Sequence, residues 1–195
     1  GYLYGTCTGE SAGSIVSGWA DGVTSRAAFA GTLAAIVFYI EADVLLECRF
    51  VWGAVSFGVG HICMAAGFLL SGETVLVWKK SGGCSVDAGL LGLTLAVCAV
   101  FVAAAWAALH RYFHSLKKKK LLYPLLAYVL VLSMMAALAV TAGGVVPASG
   151  GLCFAVSDVL LGRNRLGKHR SKMRGALVLI LYYAAVYLLA MRLWM

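Results

Sequence analysis

The sequence predicts an all-α fold, a polytopic bundle of transmembrane helices, and three observations predict it. Hydrophobic residues make up 62% of the 195-residue chain and charged residues 12%, where an ordinary soluble domain has about 45–50% and about 25%. Mean hydropathy is +0.90. The apolar residues also gather in six runs near the roughly 20 residues that a spanning helix needs. Each run is apolar all round rather than alternating, which favours helices over barrel strands. A soluble globular domain is excluded, and so is a disordered chain, which needs low hydrophobicity and high charge. With 2 prolines, a Pro-rich linker or fibre is excluded as well.

The spans follow in order at about 27–46, 50–70, 88–109, 121–141, 145–161 and 175–194. Residues 27–195 therefore read as a single transmembrane helical domain. Residues 1–26 are rich in Gly, Ser and Thr and form a separate N-terminal segment: a loop, a poor short helix or the remnant of an earlier span. No cleavable signal peptide is visible. Opening on Gly1 rather than Met is compatible with a native start further upstream.

Sixteen Lys and Arg against eight Asp and Glu give a formal charge of +8. In a soluble protein that excess would suggest nucleic acid. Here the cations sort by loop, so no nucleic-acid partner is expected. Arg49, Arg111, the four lysines at 117–120, Arg163, Arg165, Lys168, Arg170, Lys172 and Arg174 fall on one side. Arg26, Lys79, Lys80 and Arg192 fall on the other. The richer side is expected in the cytoplasm, which makes the chain a multi-pass protein of a plasma or inner membrane. The same basic loops suit anionic lipid headgroups, at about 1 kcal/mol per cation near the surface.

The six cysteines show no C-x-x-C and no repeated spacing, so neither zinc nor a disulfide framework is signalled. His110 and His114 stand at i, i+4, a spacing that can hold a metal. Neither acid nor Cys accompanies them, and Arg111 and Lys117 crowd them. No metal and no cofactor are expected. No G-x-S-x-G, Walker loop or H-E-x-x-H occurs, which leaves a serine hydrolase and a nucleotide enzyme without support.

Ionisable groups inside spans are costly, about 2.5–3.5 kcal/mol at mid-helix for Asp, Lys or Arg on insertion scales, and they tend to mark a site. The first span carries Glu41, Asp43 and Glu47, and the fifth carries Asp158. His61 lies near the centre of the second, Tyr128 in the fourth, and Tyr182, Tyr183 and Tyr187 in the sixth. The first and fifth spans run the same way, so Asp43 and Asp158 share one depth near the cytoplasmic end. His61 lies roughly 16 Å deeper than that end. The local sequences repeat as well: Ala42-Asp43-Val44-Leu45-Leu46 against Ser157-Asp158-Val159-Leu160-Leu161, with Phe38 and Phe154 ahead of the two aspartates. A polar pocket opening at the cytoplasmic leaflet is the expectation, with Glu41 and Glu47 peripheral. Blander readings stand beside it. The aspartates could be helix-end acids that reach water and pair with Arg49 or Arg163. His61 could be a hydrogen-bonded interior histidine, and the tyrosines packing or interface aromatics.

Phe38 through Asp43-Val-Leu-Leu, Phe57-Gly-Val-Gly-His61, Tyr128 with Met134 or Met135, Gly151-Leu-Cys-Phe154-Ala-Val-Ser157-Asp158-Val-Leu-Leu and Tyr182-Tyr183-Ala-Ala follow one another in the chain. Together they resemble the lysoplasmalogenase-like (YhhN) integral membrane family, over roughly residues 30 to 190. The most specific piece is Phe-x-x-Ser-Asp-x-x-Leu followed by a Tyr-Tyr helix. Two departures stand out: Ala42 replaces the family's Gly before the first Asp, and the family's early Lys-Pro-Leu segment is not recognisable in residues 1–26. The resemblance implies hydrolysis of the vinyl-ether bond of lysoplasmalogens to a fatty aldehyde and glycerophosphoethanolamine or glycerophosphocholine. A lysophospholipid is then the expected substrate.

Such a reaction protonates the outer alkene carbon, leaves an oxocarbenium ion, and adds water. It needs an acid, a base and nearby negative charge, which two carboxylates in unequal surroundings supply, as in glycosidases. Asp43 and Asp158 are the expected catalytic pair. His61, Tyr182 or Tyr183 would orient water or the ether oxygen, with Ser157 and Tyr128 counted among the positioning residues. Two other classes compete. A proton-coupled transporter also uses intramembrane Asp, His and Tyr, and a lipid-binding membrane protein needs no chemistry. The small residues Ala30, Gly31, Ala34 and Ala35 permit close helix packing, within the chain or between chains.

Overall fold

The computed structural model describes residues 12–71, 74–78, 84–112, 116, 122–166 and 172–191. Six helices follow one another: α1 (Ala12–Cys48), α2 (Phe50–Leu70), α3 (Ala88–Leu109), α4 (Leu122–Thr141), α5 (Val145–Leu166) and α6 (Lys172–Met191). Each contains a stretch long and apolar enough to cross a bilayer, from Arg26–Cys48 in α1 to Lys172–Met191 in α6. The chain is a multi-pass membrane protein. At 1.5 Å per residue, 20 residues reach about 30 Å, the thickness of the hydrocarbon layer.

The second and third spans begin and end where the apolar runs do. Three helices run past theirs, α6 by starting at Lys172 rather than at 175. α1 starts at Ala12, ahead of its apolar run. Gly and Ser are weak helix formers, but extending an existing helix is far easier than nucleating one. α5 continues to Leu166, and Arg163 and Arg165 lie in its last turn, where cations suit the negative end of the helix dipole. Lys79, Lys80, His114, the lysines at 117–120, Lys168, Arg170 and Arg192 lie outside the described residues, as does the segment 1–11.

The turns are tight. Arg49 alone, in extended conformation, separates α1 from α2. A Cβ on Gly53 would stand 2.7 Å from the backbone nitrogen of Leu46, so only glycine lets α2 fold back so closely. Between α2 and α3 lies a short antiparallel hairpin, β1 (Leu76–Trp78) with β2 (Cys84–Val86), in which Leu76 pairs with Val86. Asp87 then caps α3, accepting from the backbone N–H groups of Gly89 at 2.9 Å and Leu90 at 3.0 Å, as N-cap aspartates do. Gly143, at φ +79°, supplies the left-handed residue between α4 and α5.

α4 is the central helix. Its second half is buried almost throughout, at Leu132, Ser133, Met135, Ala136, Ala137, Leu138, Ala139 and Thr141. α1 and α2 form one close pair: a Cβ on Gly31 would meet the Gly67 backbone at 3.0 Å, so small residues set their separation. Gly31 and Ala35 thus pack inside the chain. α3 lies at the edge, burying Thr94, Cys98, Ala105 and Leu109. The outer faces carry Phe29, Val37, Ile40, Val44, Val100 and Ile180, all well exposed, as expected where lipid is the solvent.

Candidate active site

Each inner helix turns an aromatic and a polar group toward the bundle axis one turn apart. The pairs are Tyr39 and Asp43 on α1, Phe57 and His61 on α2, and Phe154 and Asp158 on α5. Residues at i and i+4 share a helix face. α2 runs opposite to α1 and α5, so its order is reversed in depth, and His61 falls level with Tyr39 and Phe154. The ring centroids agree: His61 lies 4.7 Å from Phe154 edge-on, 5.4 Å from Tyr39 and 5.7 Å from Tyr128.

His61 is fully buried, so both ring nitrogens need partners. Nδ1 lies 2.9 Å from the Tyr39 hydroxyl and Nε2 lies 3.3 Å from the Tyr128 hydroxyl. The Tyr128 hydroxyl donates to Asp158 Oδ2, and His61 Nε2 stands 3.7 Å from the same oxygen. Four side chains from four helices thus form one chain, Tyr39–His61–Tyr128–Asp158. The Asp158 side chain is 10% exposed.

Asp43 has a separate partner. The Tyr182 hydroxyl of α6 donates to its Oδ2 at 3.1 Å. The Tyr182 ring packs edge-on against Phe57 at 5.6 Å and Phe154 at 5.5 Å. The repeat in sequence therefore has a counterpart in space. Ala42 and Ser157 are fully buried, and the aspartate after each accepts from a tyrosine of a neighbouring helix.

The remaining sequence candidates are placed as follows. Ser157 Oγ donates to the Phe154 carbonyl at 2.8 Å, a bond within its own helix. Tyr183 is 58% exposed and packs, with its ring tilted, against Tyr182 at 5.0 Å. Glu41 and Glu47 are exposed, and Ser56 Oγ approaches Glu41 Oε2 at 3.4 Å while donating to the Phe38 carbonyl at 3.1 Å. Tyr39, absent from the sequence candidates, is 1% exposed. A Cβ on Gly60 would stand 2.5 Å from its ring, so the bare Gly60 backbone makes room for it. Its signal was available: Tyr39 stands four residues before Asp43, as Phe154 does before Asp158, whereas Phe38 stands five before.

A cavity of about 400 Å³ opens beside this cluster, between α2 and α4. Val51, Val55 and Ile62 line it from α2, and Leu125 and Val131 from α4. Tyr128 and Asp158 are on its wall. Asp43 is not; it joins the cluster through Tyr182. The arrangement can hold a single long apolar chain with a carboxyl group and a phenol at its side.

The sequence model of the YhhN family matches residues 17–193. Neither a curated protein nor a solved structure matches the chain.

Proposed function

The chain belongs to the YhhN family, and from that premise we propose that it is a membrane hydrolase acting on the vinyl-ether bond of lysoplasmalogen-type lysolipids. Its products are a fatty aldehyde and glycerophosphoethanolamine or glycerophosphocholine. The observation that carries this reading is the apolar cavity with Asp158 and Tyr128 on its wall. Its volume of about 400 Å³ lies in the usual ligand range of about 300–1,000 Å³. The lining suits one hydrocarbon chain, and the polar groups stand where the reacting atoms of that chain belong.

The reaction balances as follows. The vinyl ether R–CH=CH–O–R′ takes a proton from a carboxylic acid at its outer alkene carbon, giving R–CH2–CH=O⁺–R′. Water adds to the cationic carbon and yields its proton to a carboxylate. The hemiacetal collapses to the aldehyde R–CH2–CHO and the alcohol R′–OH. Asp43 and Asp158 divide acid and base between them, because their surroundings are unequal: Asp158 has Tyr128 and His61 beside it, and Asp43 has Tyr182. The carboxylate also offsets the positive charge of the oxocarbenium ion. Asp158 reaches the cavity directly. Tyr182 donates to Asp43 and packs on Phe154, which stands one turn before Asp158. The basic loops face the cytoplasm of a plasma or inner membrane and take the phosphate of the headgroup.

The test is turnover of lysoplasmalogen by purified, folded protein, read by mass spectrometry, for wild type, Asp43→Asn and Asp158→Asn. The reading expects aldehyde from wild type and its loss in both variants; wild-type turnover in both overturns the assignment. Proton-driven uptake into proteoliposomes without lipid cleavage would decide for the transporter, which the chain Tyr39–His61–Tyr128–Asp158 also suits. If both variants changed stability alone, a lipid-binding role would remain.

A further inference from the structure

We infer that Tyr39 is a positioning residue that donates to His61 Nδ1 and holds the ring as its Nε2–H tautomer together with Tyr128 and Asp158, so that every donor in the buried chain points toward Asp158. Among the described residues the Tyr39 hydroxyl has a single hydrogen-bond partner, His61 Nδ1 at 2.9 Å, and the side chain is shut away from solvent at 1% exposure. A buried hydroxyl proton without an acceptor is strongly disfavoured, so Tyr39 donates and Nδ1 accepts. The neutral ring then carries its proton on Nε2. Nε2–H faces the Tyr128 oxygen at 3.3 Å and Asp158 Oδ2 at 3.7 Å. Tyr128, accepting there, sends its own proton to Asp158. The opposite direction would have Asp158 donate to Tyr128, Tyr128 to Nε2, and Nδ1–H to Tyr39. It strands the Tyr39 proton.

Asp158 is the terminal acceptor of this chain. As an acceptor on the cavity wall it is placed to take a proton from water. Tyr39 acts through His61 and does not touch the cavity, whose lining includes Tyr128 and Asp158 but neither Tyr39 nor His61. The room for it is built in: Gly60, next to His61, leaves its face bare to the Tyr39 ring, and Phe57 at 5.8 Å and Phe154 at 5.1 Å hold that ring in place. The role in water activation rests on the hydrolase reading; the tautomer does not.

The experiment therefore has two arms. In the first, full-length protein retaining His61 as its single histidine, the other three being replaced by Gln, is labelled with 15N-histidine and studied by NMR in nanodiscs. Wild-type Tyr39 is expected to give the Nε2–H tautomer. Tyr39→Phe keeps the ring and its packing but takes away the donor to Nδ1. Nε2–H, which still faces Tyr128 and Asp158, is expected to remain, and the unprotonated Nδ1 resonance to move downfield toward that of a nitrogen that accepts no hydrogen bond. Tyr128→Phe, leaving Tyr39 in place, is expected to keep Nε2–H. An Nδ1–H tautomer with Tyr39 present, or an Nδ1 resonance that does not move in Tyr39→Phe, overturns the inference whatever the protein's activity. In the second arm, Tyr39→Phe lowers kcat on lysoplasmalogen about tenfold with KM unchanged, the scale of losing a residue that orients a reactive one. A raised KM at constant kcat overturns the role in water activation. Absence of any turnover in wild type overturns the hydrolase reading and leaves the first arm standing.

Discussion

Gly60→Ala tests the packing that seats His61. The new Cβ would lie 2.5 Å from Tyr39 Cε1, 2.7 Å from Cδ1 and 3.3 Å from the Ala35 carbonyl oxygen. The ring cannot swing away freely, because Phe57, His61 and Phe154 surround it at 5.8, 5.4 and 5.1 Å. Overpacking of this kind costs about 1–3 kcal/mol, and the tight cage places it near the upper end. Alanine returns about 1 kcal/mol of helix propensity. The net loss is about 2 kcal/mol, or roughly 30-fold in the folding equilibrium. Gly92→Ala on α3 is the matched control. Nothing lies within 4 Å of its added Cβ, so it keeps the propensity gain, up to about 1 kcal/mol. Reversible unfolding of the purified protein in mixed micelles, titrated with denaturing detergent, reads both. Gly60→Ala as stable as wild type, with Gly92→Ala gaining, would show that the Tyr39 ring has room to spare and refute the argument.

Three further outcomes are expected. Tyr182→Phe removes the hydroxyl that donates to Asp43, whereas Tyr183→Phe alters an exposed side chain; lysoplasmalogen turnover falls further in the first than in the second. Ala54→Phe puts a ring into the apolar cavity. Excluding two methylenes at about 0.8 kcal/mol each raises KM for long-chain substrate about tenfold, a rise that shrinks as the chain is shortened. Thr94 and Thr141 share a buried hydrogen bond of 3.0 Å between α3 and α4. A double-mutant cycle with valine at both positions yields a coupling of about 0.6 kcal/mol, the usual size of such bonds in membrane proteins.

The six spans were legible because the bilayer imposes a length and a composition on each one. The extra turns of α1 and α5 were not, because their residues lie outside the apolar runs and extend helices already formed. The hairpin of two three-residue strands offers too short a pattern for periodicity to register. In the site, His61, Tyr128 and Asp158 stood out as polar groups in apolar spans. Which tyrosine serves which acid depends on helix adjacency, which no single span encodes. Tyr182 and Tyr183 read alike in sequence, yet the roughly 100° turn per residue sends one to the core and the other outward. Tyr39 does not stand out in the sequence, because a lone aromatic in a span reads as packing and because Phe38 beside it is the residue that matches Phe154 in type, while Tyr39 matches it in spacing.

Hydrolysis of lysoplasmalogen in deuterium oxide tests the central chemistry most directly. Proton transfer to carbon leaves a permanent mark, since the proton comes from a carboxyl that exchanges with solvent. Wild-type protein should release a fatty aldehyde bearing one deuterium on the carbon next to the carbonyl, and Asp158→Asn should release none above background. Aldehyde free of deuterium, or labelled aldehyde from Asp158→Asn at the wild-type rate, would contradict it.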